Sequence, residues 1–247
     1  MQLIKQINAL ADQYFNEVVD IRRHLHQHPE RSFQEHQTVQ YLEKILQKAG
    51  ISYEKPVDTG LTGLIKDHSH NKGIVALRAD IDALPIEEKN TVAYISQNKG
   101  VMHACGHDAH TASLIGALKI LKDLPDAYKG NVKFIFQPGE EKLPGGAKKM
   151  IEQGVLENPT PDVIIAQHVY PDLPAGKIGF RPGPYMASSD ELYITLHGSG
   201  GHGAMPQQTD DTVYLASQII QSLQQVVSRK APPTIPTVLS IGKIIGE

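Results

Sequence analysis

Three short apolar runs constrain the fold of this chain more than any other feature: Gly73-Ile-Val-Ala-Leu-Arg-Ala-Asp80, Val132-Lys-Phe-Ile-Phe-Gln137 and Val163-Ile-Ile-Ala-Gln167. Each is short, rich in β-branched or aromatic residues and bounded by turn or polar residues, so each reads as a buried strand. Between them lie stretches of helical period. Leu114, Leu118 and Leu121 recur behind Asp108, which is placed to cap that helix, and a further helix is expected near Gly146 to Gln153. Strand, helix, strand, helix, strand is the order of an α/β fold: a mostly parallel, right-handedly wound sheet with helices on both faces. Functional side chains then gather at the carboxyl ends of the strands.

Two helices precede the sheet. Ile7, Leu10, Tyr14 and Val18 recur among Lys5, Asp12, Glu17 and Asp20, and the helix runs on through Ile21 to His28, where Pro29 halts it. The second helix carries Val39, Leu42, Leu46 and Ala49 on one face and ends at Gly50. The charges near the start leave no uncharged core for a signal peptide, so a cytoplasmic location is expected. No run approaches the ~18 apolar residues of a membrane span. Twenty-four Lys and Arg against 27 Asp and Glu give 24 − 27 = −3, too balanced for a nucleic-acid or membrane-surface footprint. A single cysteine excludes an internal disulfide, and beside it twelve histidines direct attention to metal ligation or acid–base chemistry.

After Arg181-Pro-Gly-Pro184 the pattern changes to an alternating strand from Glu191 to His197, a long helix from Thr212 to about Arg229, a break at Pro232, Pro233 and Pro236, and a strand from Thr237. The expected division is a metal-binding domain over residues 1–183 and an α+β unit over 184–247, the latter incomplete with one helix and two strands.

The densest chemistry lies in Met102-His-Ala-Cys105-Gly-His107-Asp108-Ala-His110, where a thiol, three imidazoles and a carboxylate precede a helix, a set that suits a borderline-soft divalent cation. Glu140 and Glu141 follow the strand ending at Gln137, behind a Pro-Gly turn. Adjacent side chains in an extended segment diverge, so one carboxylate can face a metal while the other acts as a base. His168 follows the third strand at the same edge, and Asp80 ends the first, placed to orient a ligand imidazole. His24 and His28 share a helix face and are read as structural or solvated. Gly198-Ser-Gly-Gly-His202-Gly203 matches a dinucleotide loop in its glycines alone: Pro206 and a polar stretch separate it from the next helix, and no acidic residue follows at ribose distance.

Taken together, Arg22-Arg-His-Leu-His-Gln-His-Pro-Glu30, Arg78-Ala-Asp-Ile-Asp-Ala-Leu-Pro85, the Cys105 motif, Gln137-Pro-Gly-Glu-Glu141 and Gly200-Gly-His-Gly-Ala-Met-Pro206 resemble the M20 metallopeptidase family. The Cys-Gly-His motif resembles its amidohydrolase branch, which includes hippurate hydrolase, plant auxin-conjugate hydrolases and N-acetyldiaminopimelate deacetylase. The resemblance implies that Cys105, His107, Glu141 and His168 ligate two divalent ions (Zn, Mn, Co or Ni), with Glu140 the general base. It further implies that His202, in the lid domain, steadies the oxyanion in a partner subunit's site, so that the full-length protein is a homodimer. The implied reaction is hydrolysis of a small N-acyl amino acid to acid plus amine, with no nucleic-acid or membrane partner. By the same resemblance a last metal-binding histidine would lie beyond Glu247, so the 247-residue form is expected to have little activity. The contrasting expectation is a non-catalytic metal-binding fragment or pseudoenzyme of the same fold.

Overall fold

A computed structural model describes residues 2–66, 73–186 and 188–246. The chain divides into two compact units, one up to Ile178 and one from Gly179.

The first unit is built on a five-stranded sheet. Its strands are β1 (Glu54–Val57), β2 (Gly60–Lys66), β3 (Ile74–Asp80), β4 (Asn131–Gln137) and β5 (Val163–Ala166), ordered β1-β2-β4-β3-β5. The three strands legible as apolar runs are β3, β4 and β5. β3 pairs in parallel with both β4 and β5, with Asp80 opposite Gln137, so these strands end at one rim. The sheet is not parallel throughout, however: β1 and β2 form a hairpin that joins β4 antiparallel. This hairpin escapes a pattern search because Pro56 interrupts β1, and Gly60 and Gly63 dilute β2. Its ladder to β4, not its own propensity, makes it a strand.

Helices α1 (Gln2–Gln27), α2 (His36–Lys48) and α3 (His107–Asp123) cover one sheet face, and α4 (Gly146–Glu152) covers the other. On the first face Ile21 and Leu25 of α1, Val39, Leu42 and Leu46 of α2 and Ile115 and Leu118 of α3 pack on Leu61, Ala79, Phe134 and Phe136. Leu42, Leu46, Phe134 and Phe136 are fully buried; such side chains each contribute about 2 kcal/mol by leaving water. Met150 and Val155 meet Ala76 and Ile135 on the second face. β5, at the sheet's edge, is exposed along its length.

Asp108 does not cap α3, contrary to the reading of its sequence. The helix starts one residue earlier, behind Gly106 at φ 85°, and Asp108 lies inside the first turn. Its Oδ2 is instead occupied by Arg22 Nε and His26 Nδ1, both at 2.8 Å. Gly106 is required twice over, by its left-handed backbone and because a Cβ there would meet Val169 at 2.4 Å.

In the second unit α5 (Thr212–Gln225) is capped by Asp211, whose Oδ1 accepts the Tyr214 N–H at 2.9 Å, and it ends in a π-turn over Val226–Lys230. The strands expected at Glu191 to His197 and from Thr237 are absent; among the described residues this unit has no strand. A strand needs a ladder partner, and the two segments do not pair. Most of their apolar residues stay in water, with Tyr193 85% and Val238 87% exposed.

Candidate metal centre

The carboxyl ends of β3, β4 and β5 and the start of α3 bring the candidate donors together around His107. Donor atoms of Cys105, His107 and His168 lie within 4.8 Å of one another, as do those of His107, Glu140 and Glu141, and of Asp80, His107 and His110. His107 is common to all three groups. Cys105 Sγ is 3.3 Å from His168 Nε2, and His107 Nε2 is 3.8 Å from Glu141 Oε1 and 3.7 Å from Asp80 Oδ2.

Hydrogen bonds at the far ring nitrogens decide which imidazoles are free to ligate. His107 Nδ1–H donates to the Asp82 carbonyl oxygen at 3.0 Å and to its Oδ1 at 3.2 Å. The tautomer is thereby set, and the Nε2 lone pair points into the cluster. His168 Nδ1–H likewise donates to the Val169 carbonyl at 2.8 Å, which leaves Nε2 facing Cys105. His110 is different. Its Nδ1–H donates to Asp80 Oδ1 at 2.7 Å and its Nε2 accepts the Val169 N–H at 2.9 Å, so neither nitrogen is left for a cation. His110 therefore fixes the backbone beside His168. Asp80 orients His110 and not a ligand imidazole directly, while Arg78 Nη1 donates to its other oxygen at 2.8 Å.

Asp82 received no role from sequence reasoning, although the period of a strand sends residues 80 and 82 to the same side. Besides His107, it accepts Ser32 Oγ–H at 2.6 Å and the Glu141 backbone N–H at 2.9 Å.

The donor set fits a divalent cation. His107 Nε2 and Glu141 Oε1 are both buried and lack a hydrogen-bond partner among the described residues. A buried polar atom left unpaired costs about 1 to 3 kcal/mol, and a cation between these two would satisfy both. The electrostatics agree. Burial and then the Glu141 carboxylate push the Cys105 thiol up to about 12, and burial with Glu140 raises Glu141. Burial would also raise Asp80, but His110 and Arg78 hold it at about 2. Such crowding of acidic groups is relieved by positive charge.

The other histidines are not among these donor groups. His24 stacks on Tyr41 at 3.8 Å and lies 4.4 Å from His28, a packing role. His103 is buried with neither ring nitrogen bonded among the described residues, and burial pulls its pKa down to about 4. His202 belongs to the second unit, where it is exposed and its Nδ1 accepts the Ala204 N–H at 3.1 Å. The glycines around it form a loop that leads into a 3-10 turn at Pro206–Gln208, not into a helix.

The α/β sheet thus gathers thiol, imidazole and carboxylate donors at its carboxyl edge. Residues 76–242 match the peptidase family M20/M25/M40, and the chain belongs to that family. It is 44% identical over 242 residues to an N-acyl-L-amino acid amidohydrolase of Geobacillus stearothermophilus, covering 98% of this chain and 65% of that one. It is also 44% identical over 231 residues to an N-acetyl-L-cysteine deacetylase of Bacillus subtilis, covering 93% and 55%. A solved dinuclear metal binding peptidase of the M20 family from Bacillus subtilis superposes with a TM-score of 0.66 at 42% identity, covering 70% of this chain and 48% of that one. The chain thus spans less than two thirds of the length of these relatives. No helix among its described residues is long and apolar enough to cross a membrane.

Proposed function

We propose that this protein hydrolyses the amide bond of N-acyl amino acids, with Cys105, His107, Glu141 and His168 holding two divalent ions of Zn, Mn, Co or Ni. The observation that carries the reading is the pair of buried, unpartnered atoms His107 Nε2 and Glu141 Oε1 beside Cys105 and His168. The relatives named as N-acyl amino acid amidohydrolase and N-acetyl-L-cysteine deacetylase support the substrate class. When bound, the ions supply Lewis-acid polarisation of the acyl carbonyl and lower the pKa of a water.

The chain's own residues carry the rest. Glu141 is half-buried and tethered through its backbone to Asp82, whereas Glu140 is exposed. Glu141 is therefore the ligand and Glu140 the base. Glu140 accepts a proton from the attacking water and returns it to the amine nitrogen as the C–N bond breaks, leaving a carboxylic acid and an amino acid. His202 is assigned the contact to the developing oxyanion in a neighbouring subunit of a homodimer. In this reading residues 1–183 form the catalytic domain and 184–247 part of a lid.

The test is turnover by the full-length protein, its length checked by intact mass, after chelation and after reloading with each metal in turn. N-acetyl and N-benzoyl amino acids are the substrates. Hydrolysis is expected only after reloading. A folded, metal-loaded protein that cleaves none of them would overturn the reading and favour a non-catalytic metal-binding member of the family.

A further inference from the structure

Glu35 occupies the N-cap position of α2 without capping it. That duty falls to Glu30, whose Oε1 accepts the Gln37 N–H at 3.1 Å and whose Oε2 accepts the Thr38 N–H at 2.8 Å and the Thr38 hydroxyl at 2.9 Å. The Glu35 side chain is released from the helix and turns inward, where the residue is 0% exposed. Its Oε1 accepts the N–H of Gly139 at 2.7 Å, across 104 residues of sequence, and Oε2 has no partner among the described residues. Burial raises its pKa against the pull of its own backbone, of Thr59 and of the Gly139 and Phe33 N–H groups. A desolvated carboxyl is costly, and an apolar residue would fill the space at less expense. Packing alone does not account for it.

Gly139 is the residue immediately before Glu140. Its φ is +54°, and a Cβ there would meet the Phe33 ring at 2.4 Å. Phe33 has itself been forced to a φ of 65°, uncommon for a residue with a side chain. The Gly139 carbonyl is also engaged, accepting the Gly146 N–H at 2.9 Å. Both backbone polar groups of this residue are therefore held, one from the start of α2 and one from the start of α4.

We propose that Glu35 is a positioning residue: by holding the Gly139 N–H it sets the turn that aims Glu140 at the scissile amide, while Glu141 is held separately through its own N–H by Asp82. The inference rests on the reading of Glu140 as the proton acceptor, and Glu35 acts through the Gly139 backbone. An error of about 1 Å in such a group costs roughly 100-fold in rate.

Two variants and one exchange measurement test it in the full, metal-loaded chain. Glu35→Gln keeps an acceptor oxygen for Gly139, so kcat should stay within about threefold of wild type. Glu35→Leu removes the acceptor, and kcat should fall by about 10- to 100-fold while KM and bound metal per chain stay near wild type. Independently of activity, the Gly139 amide should exchange slowly with solvent deuterium in wild type and Glu35→Gln, and fast in Glu35→Leu. Wild-type kcat in a folded Glu35→Leu protein, or equal losses in the two variants, would overturn the proposal. If Glu35→Leu does not fold, exchange at Gly139 in the wild type decides alone, and an unprotected amide sinks the idea. Full activity in Glu140→Gln would instead overturn the reading of Glu140 and leave the exchange result standing.

Discussion

Asp82 Oδ2 accepts the backbone N–H of Glu141 at 2.9 Å, joining the residues just past β3 to the turn after β4. Through Oδ1 and its carbonyl the same residue holds His107 Nδ1–H, so one side chain sets both the imidazole and the carboxylate that face each other with unpartnered atoms. Asp82→Ala is therefore expected to weaken divalent-metal affinity by about 10- to 100-fold. Competition with a chromophoric chelator measures it, and unchanged affinity would remove Asp82 from the support of the centre.

Glu140→Gln should separate the two adjacent carboxylates. It removes a proton acceptor without altering a proposed ligand, so metal content should match wild type while hydrolysis falls by about 100- to 10,000-fold. Elemental analysis beside a turnover assay reads both. Loss of metal would show that the roles of Glu140 and Glu141 are reversed.

Metal uptake should release protons and strengthen with pH. The Cys105 thiol, pushed up to about 12, and the raised Glu141 carboxyl are protonated more readily than usual in the metal-free chain, and ligation requires their anions. For each proton released, apparent affinity should change about tenfold per pH unit, weakening as pH falls. Titration calorimetry in buffers of differing ionisation enthalpy counts the protons; affinity independent of pH would exclude the thiol as a ligand.

His26 should stabilise the fold in a pH-dependent way. Both its nitrogens face carboxylates, Nδ1 with Asp108 at 2.8 Å and Nε2 with Glu88 at 3.1 Å, a setting that favours the imidazolium. Its pKa is raised from 6.5, chiefly by Asp108. The sign follows: the contribution is fully present below the unfolded value near 6.5 and is lost as pH rises through the higher folded value. His26→Ala should cost about 3 kcal/mol near pH 6 and clearly less near pH 9. Denaturant melts at the two pH values measure the gap, and a gap that widens with pH would refute the charged assignment.

Much of the architecture was legible before any coordinate. The runs that became β3, β4 and β5 declare themselves by composition, and α1, α2 and α3 by their apolar period, because both signals are local. The β1–β2 hairpin was not legible: Gly60 and Gly63 are poor strand formers held by a ladder to β4, and Gly63 lies so close to Phe134 that a Cβ would meet its ring at 2.3 Å. In the second unit the opposite error occurred, since the alternation of residues 191–197 is a strand pattern without a strand.

For the candidate site, the sequence by itself determined which side chains can donate and that they follow strand ends: Cys105, His107, Glu140, Glu141 and His168 stand out by type and spacing. Only the tertiary structure decided what each is free to do. Four histidines near the ends of β3 and β5 and the start of α3 look alike in sequence, yet His107 and His168 turn Nε2 toward the cluster, His110 spends both nitrogens on Asp80 and Val169, and His103 is buried with neither ring nitrogen bonded among the described residues. Asp82 and Glu35 act across 59 and 104 residues of chain. The physical reason is that a donor's chemistry is covalent and local, whereas its tautomer, charge and aim are set by hydrogen bonds from residues that only folding brings near.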